Sequence, residues 1–127
     1  MNFILLIGAI LGLLSVIIAA YVDHYLGLHL TGKSLNGMLT ALRYHQLYAI
    51  VICIIGLSLP GQVSDRIKFW LTTSAYTFSL GILLFSFSIY LSSIFHIRGI
   101  VYLTPVGGVL LMTGWALLIR SALWKMK

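Results

Sequence analysis

Charge is scarce in this chain of 127 residues: eight Lys or Arg, two Asp and no Glu. With 8% charged and 61% hydrophobic residues it departs far from a soluble domain, where about a quarter of residues are charged. Disorder is excluded too, because it needs low hydrophobicity and high charge. Cys53 is the only cysteine, so no disulfide framework replaces a core. Nucleic acid is excluded as a partner by distribution. The net charge of +6 comes from basic residues scattered between apolar runs, not gathered on one face or stripe. What is left is an integral membrane protein of one small domain, residues 1–127, with the lipid bilayer as its solvent.

The ten charges divide the chain. Residues 1–22, 44–64, 69–97 and 99–119 carry no Asp, Glu, Lys or Arg, giving runs of 22, 21, 29 and 21 residues. About 20 apolar residues take a helix across the hydrocarbon, so each run suits one span. Backbone polar groups in lipid must be satisfied within the segment or in a closed barrel, and continuous apolar runs are not the alternating segments of a barrel. The fold class is therefore all-α, a four-helix membrane bundle with both termini on the same side. The spans are predicted at about 2–22, 40–59, 68–94 and 104–124. The first run has no basic n-region and is read as a retained span, not a signal peptide. Pro60-Gly61 ends the second span, and Ser34 is a candidate cap for an extension of its start. The fourth span starts either near Gly99, with Pro105 kinking the helix, or, as preferred, with Thr104 as N-cap and Pro105 as the first helical residue. One side carries Arg66, Lys68, Arg120, Lys125 and Lys127, and the other Lys33, Arg43 and Arg98. The positive-inside rule then puts the termini in the cytoplasm, at the inner (plasma) membrane, with Trp124, Lys125 and Lys127 as interface anchors.

Small residues mark candidate helix contacts. Gly8 and Gly12 form a GxxxG pair, followed on the same face by Ser15 and Ala19. Thr72, Ser79, Ser86 and Ser93 recur every seven residues, as do Gly107, Gly114 and Ser121. Such spacing keeps a seam in register, so spans 3 and 4 are expected to pair along these two rows. A polar pathway is the other reading of the hydroxyls. Packing is favoured over it, because small and hydroxyl residues are ordinary helix-interface material in membranes.

Titratable groups concentrate at the predicted outer side: Asp23, His24, Arg43, His45 and Arg98, with His29, His96 and several tyrosines nearby. Asp23 drawn into the bundle would need Arg43 or Arg98 as partner. Imidazole and carboxylate are metal ligands, but there is no HxxxH or HExxH spacing. Polar residues at a headgroup interface are the simpler reading, so no metal or cofactor is expected. No nucleophile elbow or phosphate loop is present, and the chain is not expected to be an enzyme.

Three strings then point to a family: Leu84-Phe85-Ser86-Phe87-Ser88-Ile89-Tyr90, Thr104-Pro105-Val106-Gly107-Gly108, and Gly114-Trp115. In order and spacing they are similar to the LFSGSLY, TPIGG and GW strings of the YgdD/YwdK family of small membrane proteins, a domain of unknown function numbered 423. Ala41-Leu42-Arg43-Tyr44 and the Tyr21 to His24 segment resemble that family's span 2 start and its GAFGAH segment. Here Asp23 precedes His24, and His45 and Tyr48 stand where the family often has Gln and then His. The resemblance implies a four-helix inner-membrane protein and no particular activity. The expected function is non-catalytic: association through helix faces such as that of Gly8 and Gly12, as a homo-oligomer or an accessory subunit of a larger membrane complex. A small transporter or channel for ions or small solutes is the alternative, and a haem or metal protein using His24 and His45 the third reading.

Overall fold

Asn2 starts the first helix by capping it. Its side-chain carbonyl accepts the Leu5 amide at 3.1 Å, and its amide donates to the Gly56 carbonyl at 2.7 Å. The computed structural model describes residues 1–124; the anchors expected at Lys125 and Lys127 lie outside them. Helix α1 is Phe3–Tyr21, and it continues through a π-helical turn, Val22–Leu26, into one α turn, Gly27–His29. Two extended residues follow, and Gly32, at a φ of 58°, turns the chain into α2, Gly32–Ser58. A 3₁₀ turn, Leu59–Gly61, leads to α3, Asp65–Phe95. His96 closes α3 in the left-handed conformation, which histidine tolerates better than most residues. A second 3₁₀ turn, Gly99–Tyr102, runs into α4, Leu103–Leu123. All four helical stretches are long and apolar enough to cross a membrane.

Two expected caps are not caps. The α2 helix starts at Gly32 with Thr31 before it, so Ser34 lies inside the first turn. The added turns are held by packing, since Met38 and Ala41 join Val22, Leu26 and Tyr90 in one buried cluster. The helix α4 is entered directly from the 3₁₀ turn, so Thr104 lies within it. Its hydroxyl pairs with that of Ser88 on α3 at 2.6 Å.

The helices pack antiparallel in sequence order. Gly8 brings α1 against α2 so closely that a Cβ there would sit 2.8 Å from the Cys53 amide nitrogen. Gly56 does the same from the other side, where a Cβ would lie 2.7 Å from the Leu5 nitrogen. Thus Gly8 is used inside the bundle, while Gly12 has nothing within 4 Å of an added Cβ. The α3–α4 seam joins Ser74, Phe78, Gly81, Phe85 and Ser88 to Thr104, Gly107, Leu111 and Gly114. On α4, Gly107, Gly114 and Ser121 are all buried, and Gly107 and Gly114 lie against α3.

The expected row on α3 faces elsewhere. Ser86 donates to the Ala41 carbonyl of α2 at 2.7 Å. Ser79 bonds back to Ala75 and borders an apolar groove against Ile7 and Leu11 of α1. Thr72 and Ser93 are only partly buried. The reason is helical geometry. Gly81 and Ser88, which meet α4, stand two positions from Ser79 and Ser86, and the whole α4-facing row is turned about 130° from the hydroxyl row on a helix of 3.6 residues per turn. Because α3 lies between α2 and α4, it has two buried faces, and the hydroxyl row marks the face turned to α2 and α1.

Candidate functional site

The α2 helix turns Ala41, His45, Tyr48, Ile52 and Ile55 into the bundle, at alternating steps of four and three. Long helical side chains lean toward their own N-terminus. In antiparallel helices those on α2 and α3 therefore lean toward each other. His45 is fully buried, and its Nδ1 lies 3.0 Å from the hydroxyl of Tyr90, also buried. Phe87 tilts against the imidazole at 5.2 Å between ring centroids. Either group of the pair can donate, depending on the imidazole tautomer. His45 Nε2 is buried with no hydrogen-bond partner among the described residues; the nearby backbone of Leu11 on α1 does not reach bonding geometry.

Three further polar contacts cross between helices. Trp115 on α4 donates from Nε1 to the Tyr48 hydroxyl at 2.7 Å. The rings of Tyr48, Phe78 and Trp115 pack together beneath this bond. Ser74 donates to the Gly114 carbonyl at 2.8 Å, and Ser88 pairs with Thr104. With Ser86 to Ala41, every consecutive helix pair from α2 to α4 is tied by side-chain hydrogen bonds. In lipid these are the ties available to hold a register, because apolar burial gives no net preference between helix and lipid.

The outer-side group splits in two. Asp23 and His24 lie exposed in the π-helical turn, Arg43 is exposed on α2, and Arg98 is exposed before the second 3₁₀ turn. His45 is instead buried with Tyr90. Arg43 and His45 are two residues apart on one helix, so they point in nearly opposite directions. Among the described residues no group of three or more His, Cys, Asp and Glu is placed to hold a metal. The hydroxyls of α3 do not share one face: Ser86, from the row read as a possible pathway, faces α2, whereas Ser74 and Ser88 face α4.

Sequence reasoning missed the contacts of Tyr90 and Trp115, which it met within the family strings, and of Ser74 and Ser88. The signal for the last two was present. Positions 74, 78, 81, 85 and 88 repeat at steps of four and three, and these hold two serines and a glycine.

A second feature lies at the lipid-facing surface. Between α1 and α2 an open groove of about 490 Å³ is bordered by Gly8, Gly12, Ser15, Gln46, Ala49 and Cys53. Gln46 is partly exposed there and makes no hydrogen bond among the described residues.

Four antiparallel membrane-crossing helices, tied by buried side-chain hydrogen bonds, define a small polytopic membrane protein. The family described as "Protein of unknown function (DUF423)" matches residues 18–108, and the chain belongs to that family. It is 33% identical to the UPF0382 inner membrane protein YgdD of Escherichia coli K12, over 96% of this chain and 90% of the relative. It is 30% identical to the UPF0382 membrane protein YwdK of Bacillus subtilis 168, over 96% and 97%. A UPF0382 membrane protein of Haemophilus influenzae is 32% identical over 90% and 88%. No solved structure matches the chain.

Proposed function

We propose that this protein acts without catalysis, by lateral association with a second copy in the inner membrane, through the groove between α1 and α2. Gln46 carries the reading. A primary amide facing hydrocarbon without a partner is costly. Beside it Gly12 and Ser15 leave room for another helix backbone to approach, the usual basis of helix association in lipid. Across a two-fold axis Gln46 meets its own copy, and two amides satisfy each other as donor and acceptor. The inner-membrane location follows that named for the Escherichia coli relative. The ends of the bundle that hold Asn2 and Trp124 face the cytoplasm. The five-to-three basic bias supports this orientation, while the contacts of Asn2 with Gly56 and of Trp124 with Arg66 support a shared end for the two termini.

Cysteine cross-linking in native membranes tests the reading. In a Cys53→Ser background, Gly12→Cys forms a dimer-sized adduct, and adding Gln46→Leu weakens it. Val109→Cys, exposed on α4, does not form it. Equal cross-linking at both positions, or none at Gly12→Cys, overturns the groove. Adducts heavier than a dimer mean that the groove serves another subunit.

A further inference from the structure

At the end of the bundle that holds Trp124, basic and indole side chains from α3 and α4 converge. The Arg66 guanidinium stands over the Trp124 ring, 4.5 Å from its centroid. The Arg120 guanidinium lies 5.5 Å from the same ring and 5.8 Å from that of Trp70. Two positive charges from different helices are therefore held no more than about 10 Å apart by one shared indole. Both arginines are exposed, and among the described residues neither makes a hydrogen bond or an ion pair. Asp65 is the one acid beside them; it stands in the first turn of α3, where the helix dipole favours its charge. Phe69, Ile119 and Leu123 expose large apolar surfaces next to the cluster.

We infer that Arg66 and Arg120, with Trp70 and Trp124, form a binding site for the phosphate headgroup of an anionic phospholipid. Each feature meets one need of such a ligand. Guanidinium forks bind phosphate oxygens bidentately, and among the described residues their donors have no protein partner. The flat indoles belong at headgroup depth and keep both guanidiniums extended there. The apolar side chains give the acyl chains a surface continuous with the hydrocarbon. An anion also relieves the repulsion between the two guanidiniums, which no nearby pair of acids offsets. Basic clusters between helix ends on the cytoplasmic side are a recurrent form of lipid headgroup site.

Tryptophan quenching by brominated lipids reads the site directly. Trp115→Phe leaves Trp70 and Trp124 as the emitting residues. Reconstituted into mixed vesicles, this protein is quenched more by a given fraction of brominated phosphatidylglycerol than by the same fraction of brominated phosphatidylcholine. Arg66→Gln and Arg120→Gln each reduce that preference about fivefold, the factor one basic residue near an anionic surface contributes. Arg66→Lys/Arg120→Lys keeps the charge without the forks and falls between. Helical content by circular dichroism separates a lost site from a lost fold, and the unsubstituted arginines compared across the two lipids need no arginine variant at all. Equal quenching by the two lipids overturns the inference. So does full displacement by inorganic phosphate, which would make the site one for free phosphate.

Discussion

Gly107→Ala puts one methyl group where α4 crosses α3. An ideal Cβ there lies 2.8 Å from the Gly81 carbonyl oxygen and 2.8 Å from the Leu84 carbonyl carbon, and it also meets the Phe85 nitrogen. Carbon contacts are optimal from about 3.5 Å, so the added atom falls roughly 0.7 Å short. All three neighbours are α3 backbone and cannot rotate away, so the two helices must separate. Overpacking of this kind costs about 1–3 kcal/mol. Parting the helices also weakens Ser88–Thr104 and Ser74–Gly114, each worth about 0.6 kcal/mol in a membrane protein. Alanine returns at most about 1 kcal/mol of helix propensity. The net expectation is a loss of about 1–3 kcal/mol. Gly108→Ala is the matched control, because its Cβ meets only Phe85 Cδ2, at an ordinary 3.9 Å. It keeps the propensity gain without the clash and leaves stability unchanged or raised by up to about 1 kcal/mol. Unfolding in mild detergent by added dodecyl sulfate, followed by circular dichroism, measures both variants. Equal stability of the two would refute the close approach of α3 and α4 at Gly107.

Tyr90→Phe leaves the imidazole of His45 buried with both nitrogens unpartnered and lowers stability by about 1–3 kcal/mol. Adding His45→Leu to that variant restores part of the loss, and a double-mutant cycle by the same unfolding assay reads a coupling of about 0.5–3 kcal/mol; additive effects would show that the pair does not form. Tyr48→Phe removes the acceptor for the Trp115 indole and costs about 0.6 kcal/mol. In a Trp70→Phe/Trp124→Phe background it also shifts Trp115 emission to shorter wavelength, and an unchanged spectrum would argue against the bond.

What was legible in the sequence followed from the bilayer as solvent. Lipid does not accept unpaired charge, so the gaps between ten charges mark four helices, and the LFSFSIY, TPVGG and GW strings mark the family. The row of Gly107, Gly114 and Ser121 was legible for a similar reason. The helix α4 packs chiefly against one neighbour, so one row of small residues can belong to only one contact. Gln46 was visible as a polar residue inside an apolar run, but not as one facing lipid.

The tertiary structure alone decided how α3 is turned. It is buried on two sides, and a seven-residue repeat gives a face without naming the helix it meets; the hydroxyl row met α2 and α1 instead of α4. It also decided the fate of His45. Composition grouped it with Asp23, His24, Arg43 and Arg98 because they share one end of the chain's spans. Helical phase separates them, since two residues along α2 is more than half a turn. That rotation leaves Arg43 outside and brings His45 to Tyr90. Depth in the membrane can be read from a one-dimensional pattern of charge. Azimuth cannot, because it depends on which neighbours each helix has, and those are fixed only when all four pack together.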